Sequence, residues 1–154
     1  KMATNTLIQK LFGKDETGVG EDGVTQSNRR EVEQFIASEG ITDGDLVCLD
    51  ISKSTAGERM YHVKKLKTDV GATAVAIGVA DEDIASGASG EVIIRGFKAS
   101  ANIATGAGVG ERFVGTSTAG RGDVLVASST IPALGYVITL AADNTADVYI
   151  IKQF

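Results

Sequence analysis

The chain has 154 residues, a net charge of −5, one cysteine, one proline, no tryptophan and 19 glycines. Its negative field repels phosphate backbones and anionic lipid, which argues against nucleic acid and membranes as direct partners, and no apolar run reaches the roughly 18 residues of a spanning helix. A lone cysteine makes no intrachain bridge and fits a reducing compartment; a soluble, cytoplasmically made domain with an appendage is expected, its core needing neither disulfide nor metal.

Residues 1–43 carry no strand-like alternation and are expected to form an N-terminal extended arm with one or two short helices. Leu7, Ile8, Leu11 and Phe12 share one helical face up to Gly13, a stretch too short to be stable alone. Lys14 to Gly23 is acidic and Gly-rich, which suits a flexible connector. A second helix is predicted after it: Asn28 caps, Glu31 completes a box-like pair, Val32, Phe35 and Ile36 line one face, and Gly40 ends it.

From residue 44 the reading changes to a β body running to residue 154. Strands are predicted near Leu46–Ile51, Met60–Lys65, Ala74–Val79, Glu91–Phe97, Arg112–Thr116, Val124–Ala127, Gly135–Leu140 and Asp147–Lys152. Val47-Cys48-Leu49 and Val148-Tyr149-Ile150-Ile151 are apolar on both faces, which predicts cover from the other half of a barrel and from a partner subunit.

One pattern is stated twice. Gly44-Asp45-Leu46-Val47 opens the first copy and Gly110-Glu111-Arg112-Phe113 the second; Ile77-Gly78-Val79 and Leu134-Gly135-Tyr136 are the middle steps; Glu91 to Phe97 and Asp147 to Phe154 close them. The expected fold is mainly β, a small barrel or sandwich of two related halves with glycine where the sheet turns corners.

Candidate chemistry is sparse. Gly18-Val19-Gly20-Glu21-Asp22-Gly23 spells a dinucleotide fingerprint, but no strand precedes it and two carboxylates occupy the phosphate position. Gly106 to Gly110 reads as a turn between strands. His62 is the one histidine, so it has no ligand set or triad around it, and it reads as a strand-face residue. Cys48 reads as a buried small hydrophobe. The acid groups Asp15-Glu16, Asp43-Gly44-Asp45 and Asp81-Glu82-Asp83 lack the ligand stagger of a calcium loop. Arg121-Gly122-Asp123 spells an integrin tripeptide but reads as a turn before a strand. Tyr61, Tyr136 and Tyr149 are expected in the core, which leaves no aromatic platform for a glycan. No catalytic, cofactor-binding or metal-binding residue is assigned, and no enzyme activity is expected.

Ala74 to Ala80, Gly90 to Gly96, Ile131 to Val137 and Asp147 to Ile151 together resemble the capsid decoration, or cement, proteins of tailed bacteriophages over residues 44–154. The resemblance implies a β-barrel-like body on the outside of a virion shell, with the major capsid protein as partner, no cofactor and no catalytic residues. On that expectation the protein is a homo-oligomer, a trimer, and Leu7, Ile8, Leu11, Phe12, Val32, Phe35 and Ile36 are the adhesive contacts of its arm. Two alternatives are another virion part, such as a tail tube or head-fibre base, and a β-rich carbohydrate- or peptide-binding module.

Overall fold

The computed structural model of the protein describes residues 30–67, 76–125 and 132–151. Its strands are β1 (Glu31–Ala37), β2 (Leu46–Leu49), β3 (His62–Lys65), β4 (Ala76–Ala80), β5 (Ser89–Asn102), β6 (Arg112–Gly115), β7 (Gly122–Val124), β8 (Gly135–Val137) and β9 (Thr145–Ile150), with one short helix, α1 (Ala56–Tyr61), between β2 and β3. The fold is mainly β, as expected.

The strand order β1-β3-β2-β4-β5, with β5 returning to pair with β1, closes a five-stranded barrel. The β1–β3 pair is parallel and the others antiparallel. β5 then leaves this barrel. Beyond Gly96 it pairs with β9 and starts a second ring, β5-β9-β8-β6-β7, which closes through a parallel bridge between Ile103 and Gly122. The register breaks between Lys98 and Ala101, where Ser100 has a φ of 54°. A bulge of this kind bends the strand and lets it serve two sheets.

The two rings follow one plan, with the end of β5 standing for β1, β6 for β2, β7 for β3, β8 for β4 and β9 for the start of β5. The hydrogen bonds repeat with it. Gly44 N donates to Ala80 O and Gly110 N to Val137 O; Ala80 N donates to Asp45 O and Val137 N to Glu111 O; Leu66 N donates to Leu46 O and Leu125 N to Arg112 O. The acid of each Gly-acid pair ties the turn that enters the strand, Asp45 accepting from Thr42 N at 2.9 Å and Glu111 from Gly108 N at 2.6 Å. Gly44 and Gly110 both sit at a φ of 83°, which disfavours any side chain. The sequence echo is therefore two copies of one hydrogen-bonding scheme.

The predicted helix after Asn28 is corrected: residues 31–37 form β1. Val32, Phe35 and Ile36 fit helical spacing, but the segment has a ladder on each edge, to β5 and to β3. Those pairings, with Phe35 and Ala37 buried, outweigh a weak local preference. The β body thus includes residues well before 44. α1 is an element the strand pattern does not predict, and it takes Met60 and Tyr61 out of the expected strand. Its signal is a capping box in which Thr55 accepts from Glu58 N and the Glu58 carboxylate accepts from Thr55 N.

Buried residues form two clusters. Val47, Val63, Ile77, Val92 and Ile94 fill the first barrel with Phe35, Ala37, Ile41, Ala80 and Ile84. Phe113, Leu134, Val137, Val148 and Ile150 fill the second ring and share a cluster with Leu46, Cys48, Val79 and Ile93 from the outward side of the first barrel. Both faces of β2 are thus covered by this chain itself, and no partner subunit is needed to explain its apolar run.

The middle glycine of each copy permits a close approach. A Cβ on Gly78 would overlap Ile93 O, and one on Gly135 would overlap Tyr149 O. Gly78→Ala and Gly135→Ala are each expected to cost about 2–3 kcal/mol, whereas Gly57→Ala in α1, where a Cβ meets nothing within 4 Å, should be neutral or gain up to about 1 kcal/mol. Urea unfolding midpoints check this; three equal midpoints would refute the close approach.

Candidate docking surface

Of the residues assigned to adhesion from sequence, Leu7, Ile8, Leu11 and Phe12 lie outside the described residues. Val32, Phe35 and Ile36 are brought together on β1, but as parts of a barrel stave. Phe35 is 6% exposed inside the first barrel, and Val32 is half-buried against the second cluster. Phe35 is a core residue and offers no contact surface; Ile36 is half-buried.

Of the three acid groups, Asp15-Glu16 lies outside the described residues, and Asp43, Asp45, Asp81 and Asp83 of the other two serve the joint between the rings. Lys98, 7% exposed, places its ammonium 2.5 Å from Asp43 and 3.3 Å from Asp81, and Arg30 reaches Asp81 at 3.0 Å. Asp83 accepts from the Asp43 amide at 2.8 Å. Asp45, 4% exposed, pairs with Lys65 at 3.0 Å and accepts from Asn102 Nδ2 at 3.1 Å. Asn102 in turn accepts from Arg121 Nε at 3.3 Å. The Arg-Gly-Asp tripeptide is therefore tied into this joint, with Gly122 buried at the start of β7. Among the described residues no group of His, Cys, Asp and Glu is placed to hold a metal ion.

Cys48 is buried, and burial pushes its thiol up to about 11 against the pull of Lys64, its cross-strand neighbour. At neutral pH it is a thiol and packs as a small apolar group. His62 begins β3 and places Nδ1 2.8 Å from Glu58 O at the end of α1. Gly106 to Gly110 forms the turn into β6, as expected.

Among the described residues, the surface left open is the outward side of the second ring. Register aligns Arg112 with Tyr136, Tyr136 with Tyr149, and Tyr149 with Phe97 across β6, β8, β9 and β5. Tyr136 is 40% exposed, Arg112 is exposed, and Tyr149 and Phe97 are half-buried. Beyond β8, Ile138 and Leu140 are exposed, as is Val109 in the facing turn. The expectation that the tyrosines are core is corrected: Tyr136 lies between buried Gly135 and Val137, so alternation turns it outward. Tyr61, 60% exposed, ends α1. The row is assembled from four strands, and only their pairing reveals it.

No family model matches the chain, and no curated protein matches it in sequence. Among the solved structures that share the fold are two from bacteriophages. One is the base of the head fibre gp8.5 of bacteriophage phi29, with a TM-score of 0.56 and 14% identity over 79% of this chain and 94% of that one. The other is a chain from the capsid of Myoviridae phage XM1, with a TM-score of 0.56 and 18% identity over 85% of this chain and 88% of that one.

Asp50 anchors the turn after β2. Burial opposes its charge, but hydrogen bonds from Ser52 and Ser38 and the Lys64 ammonium at 3.2 Å overcome this and hold the carboxyl well below the usual carboxylate range. Asp50→Asn is expected to cost about 1–3 kcal/mol at neutral pH. Since the folded carboxyl titrates below its unfolded value of about 3.9, its contribution is complete above that pH and fades as pH falls towards the folded value. Wild type should therefore lose its advantage over the variant in acid. Unfolding curves from pH 7 to pH 2 measure the gap, and a constant gap would contradict this assignment.

Proposed function

We propose that this protein is a structural component of a bacteriophage virion that binds the outside of the head and stabilises the shell, as a decoration or cement protein does. The observation that carries this reading is the likeness of its double-ring body to two proteins of phage heads, over nearly their whole length. The sequence pattern of residues 44–154 points the same way.

The mechanism is adhesion. A protein that binds the assembled shell and not its dissociated subunits stabilises the assembly by linkage. Copies joined in an oligomer, a trimer in this proposal, reinforce one another through effective concentration, with gains that reach about 10²–10⁴. The major capsid protein is the partner, and Leu7, Ile8, Leu11 and Phe12 supply apolar contacts to it from outside the described body.

A second virion role has its own support. The phi29 protein is the base of a head fibre, and on that likeness this chain would be a foot that carries a longer appendage. Imaging separates the two: a cement protein covers the head alone, whereas a fibre base has an appendage above it.

Purified protein added to matching heads should bind saturably and raise the temperature at which they disrupt. Deletion of residues 1–25 should lower occupancy at least about tenfold, equivalent to about 1.4 kcal/mol. Cryo-electron microscopy and sedimentation of the heads provide the readout. Heads left bare by the full-length chain would end the proposal, and undiminished occupancy after the deletion would remove the four apolar residues from it.

A further inference from the structure

The seven exposed large apolar residues among those described form two groups, one per half. Ile51, Met60 and Tyr61 lie in the β2–β3 connection of the first half, and Val109, Tyr136, Ile138 and Leu140 lie on the second. The internal repeat relates these groups to a contact that already exists within the chain.

The outward side of the first barrel is covered. The second ring packs against it, and its β6–β7 connection meets the rim: Leu46, Val79 and Ile93 share a cluster with Phe113, Leu134 and Val137, Leu46 N donates to Gly120 O, Gly120 N donates to Leu66 O, and a Cβ on Gly122 of β7 would lie 3.1 Å from the Leu46 side chain. Leu46, Val79 and Ile93 are fully buried there. Their counterparts in the second ring are Arg112, Tyr136 and Tyr149, which form the open row. The counterpart of the β6–β7 connection is the β2–β3 connection, in which Asp50 N donates to His62 O just as Thr116 N donates to Arg121 O. One exposed group therefore marks the uncovered copy of a covered face, and the other marks the unused copy of the segment that meets the rim of that face.

The rim supports the same match. Asp43, Asp81 and Asp83 edge the covered face and meet Lys98, Arg30 and the Asp43 amide. At the equivalent places around the open face stand Val109, Ile138 and Leu140, which suit an apolar partner and have nothing to offer a cation.

We propose that copies of this chain associate head to tail, with the β2–β3 connection of one copy, through Met60 and Tyr61, seated on the Tyr136–Tyr149 face of the next. The contact repeats between molecules the contact that joins the two halves within one. It deepens the self-association in the function proposed above and rests on it. Such a contact is heterologous, so it builds a closed ring when its rotation permits and a filament otherwise.

The test uses sedimentation equilibrium of the full chain at up to about 100 μM. Wild type should sediment as a multiple of 15.9 kDa. Tyr136→Lys and Met60→Lys should each fall to the single-chain mass with unfolding midpoints unchanged; Ile138→Lys and Tyr61→Lys replace either variant that fails to fold. An equal mixture of the two variants should form a pair of twice the single-chain mass, because each retains the face that the other lacks. A wild type of single-chain mass, variants that keep the wild-type mass, or a mixture that stays single would each overturn the proposal. The first result is also what cover of the open face by residues 1–29 of the same chain would give. Wild type that sediments as a single chain yet still decorates heads would refute this contact and leave the head-binding reading intact.

Discussion

The passage of β5 from one barrel into the other is the constraint on which the rest of the molecule depends. Its first half closes the first barrel against β1 and β4, and its second half opens the next ring against β9. A single continuous strand leaves the two rings little freedom to turn about each other. At the crossing, Lys98 is held between Asp43 and Asp81, while Asp45, Lys65, Asn102 and Arg121 form a second polar chain beside it. Buried pairs of this kind contribute little net stability, because desolvation offsets much of the attraction. Their hydrogen bonds are directional, however, and they accept one arrangement of the halves where an apolar joint would tolerate several.

Given one backbone scheme, the two interiors reach their packing by different means. Phe35, Val47 and Val63 in the first barrel correspond to Ala101, Phe113 and Gly122 in the second ring. The bulk of an aromatic side chain has moved from one wall to another. Gly122 leaves room beside Ile103 and Phe113, and the Leu46 side chain of the first barrel reaches that place. The second ring is therefore completed by the first, and this explains why their residues form one cluster. Interiors tolerate such exchanges when volume is conserved across facing positions.

How much of this is legible in the sequence follows from how local each feature is. Gly44-Asp45 and Gly110-Glu111 are turns whose bonds lie within a few residues, so their recurrence can be read directly. Gly78 and Gly135 can be marked as corners, although the carbonyls they approach lie on another strand. β1 reads as a helix because its partners are far along the chain, with Val32 opposite Ile93 and Ile36 opposite His62. Without β1, the body starts at residue 44 and the first ring lacks a stave. α1 leaves a readable mark in Thr55 and Glu58, which strand periodicity alone does not register. The row from Arg112 to Phe97 cannot be read at all, since only pairing across four strands aligns it.

The division between backbone scheme and outward side chains also accounts for how far such folds can drift in sequence. Positions held in common by the two halves are a glycine at positive φ, an acid that ties the turn, a glycine beneath a carbonyl and an apolar character at the inward-facing positions. Almost everything outward differs: Leu46 stands against Arg112, Val79 against Tyr136, Asp81 against Ile138. If two copies in one chain keep so few side chains in common while repeating the same hydrogen bonds, separate proteins with this fold need share no more. Low identity over nearly complete coverage is then the expected relation between them. It also follows that partner choice resides in the outward positions, where a substitution costs the fold little, since surface changes away from special features usually fall within about 0.5 kcal/mol.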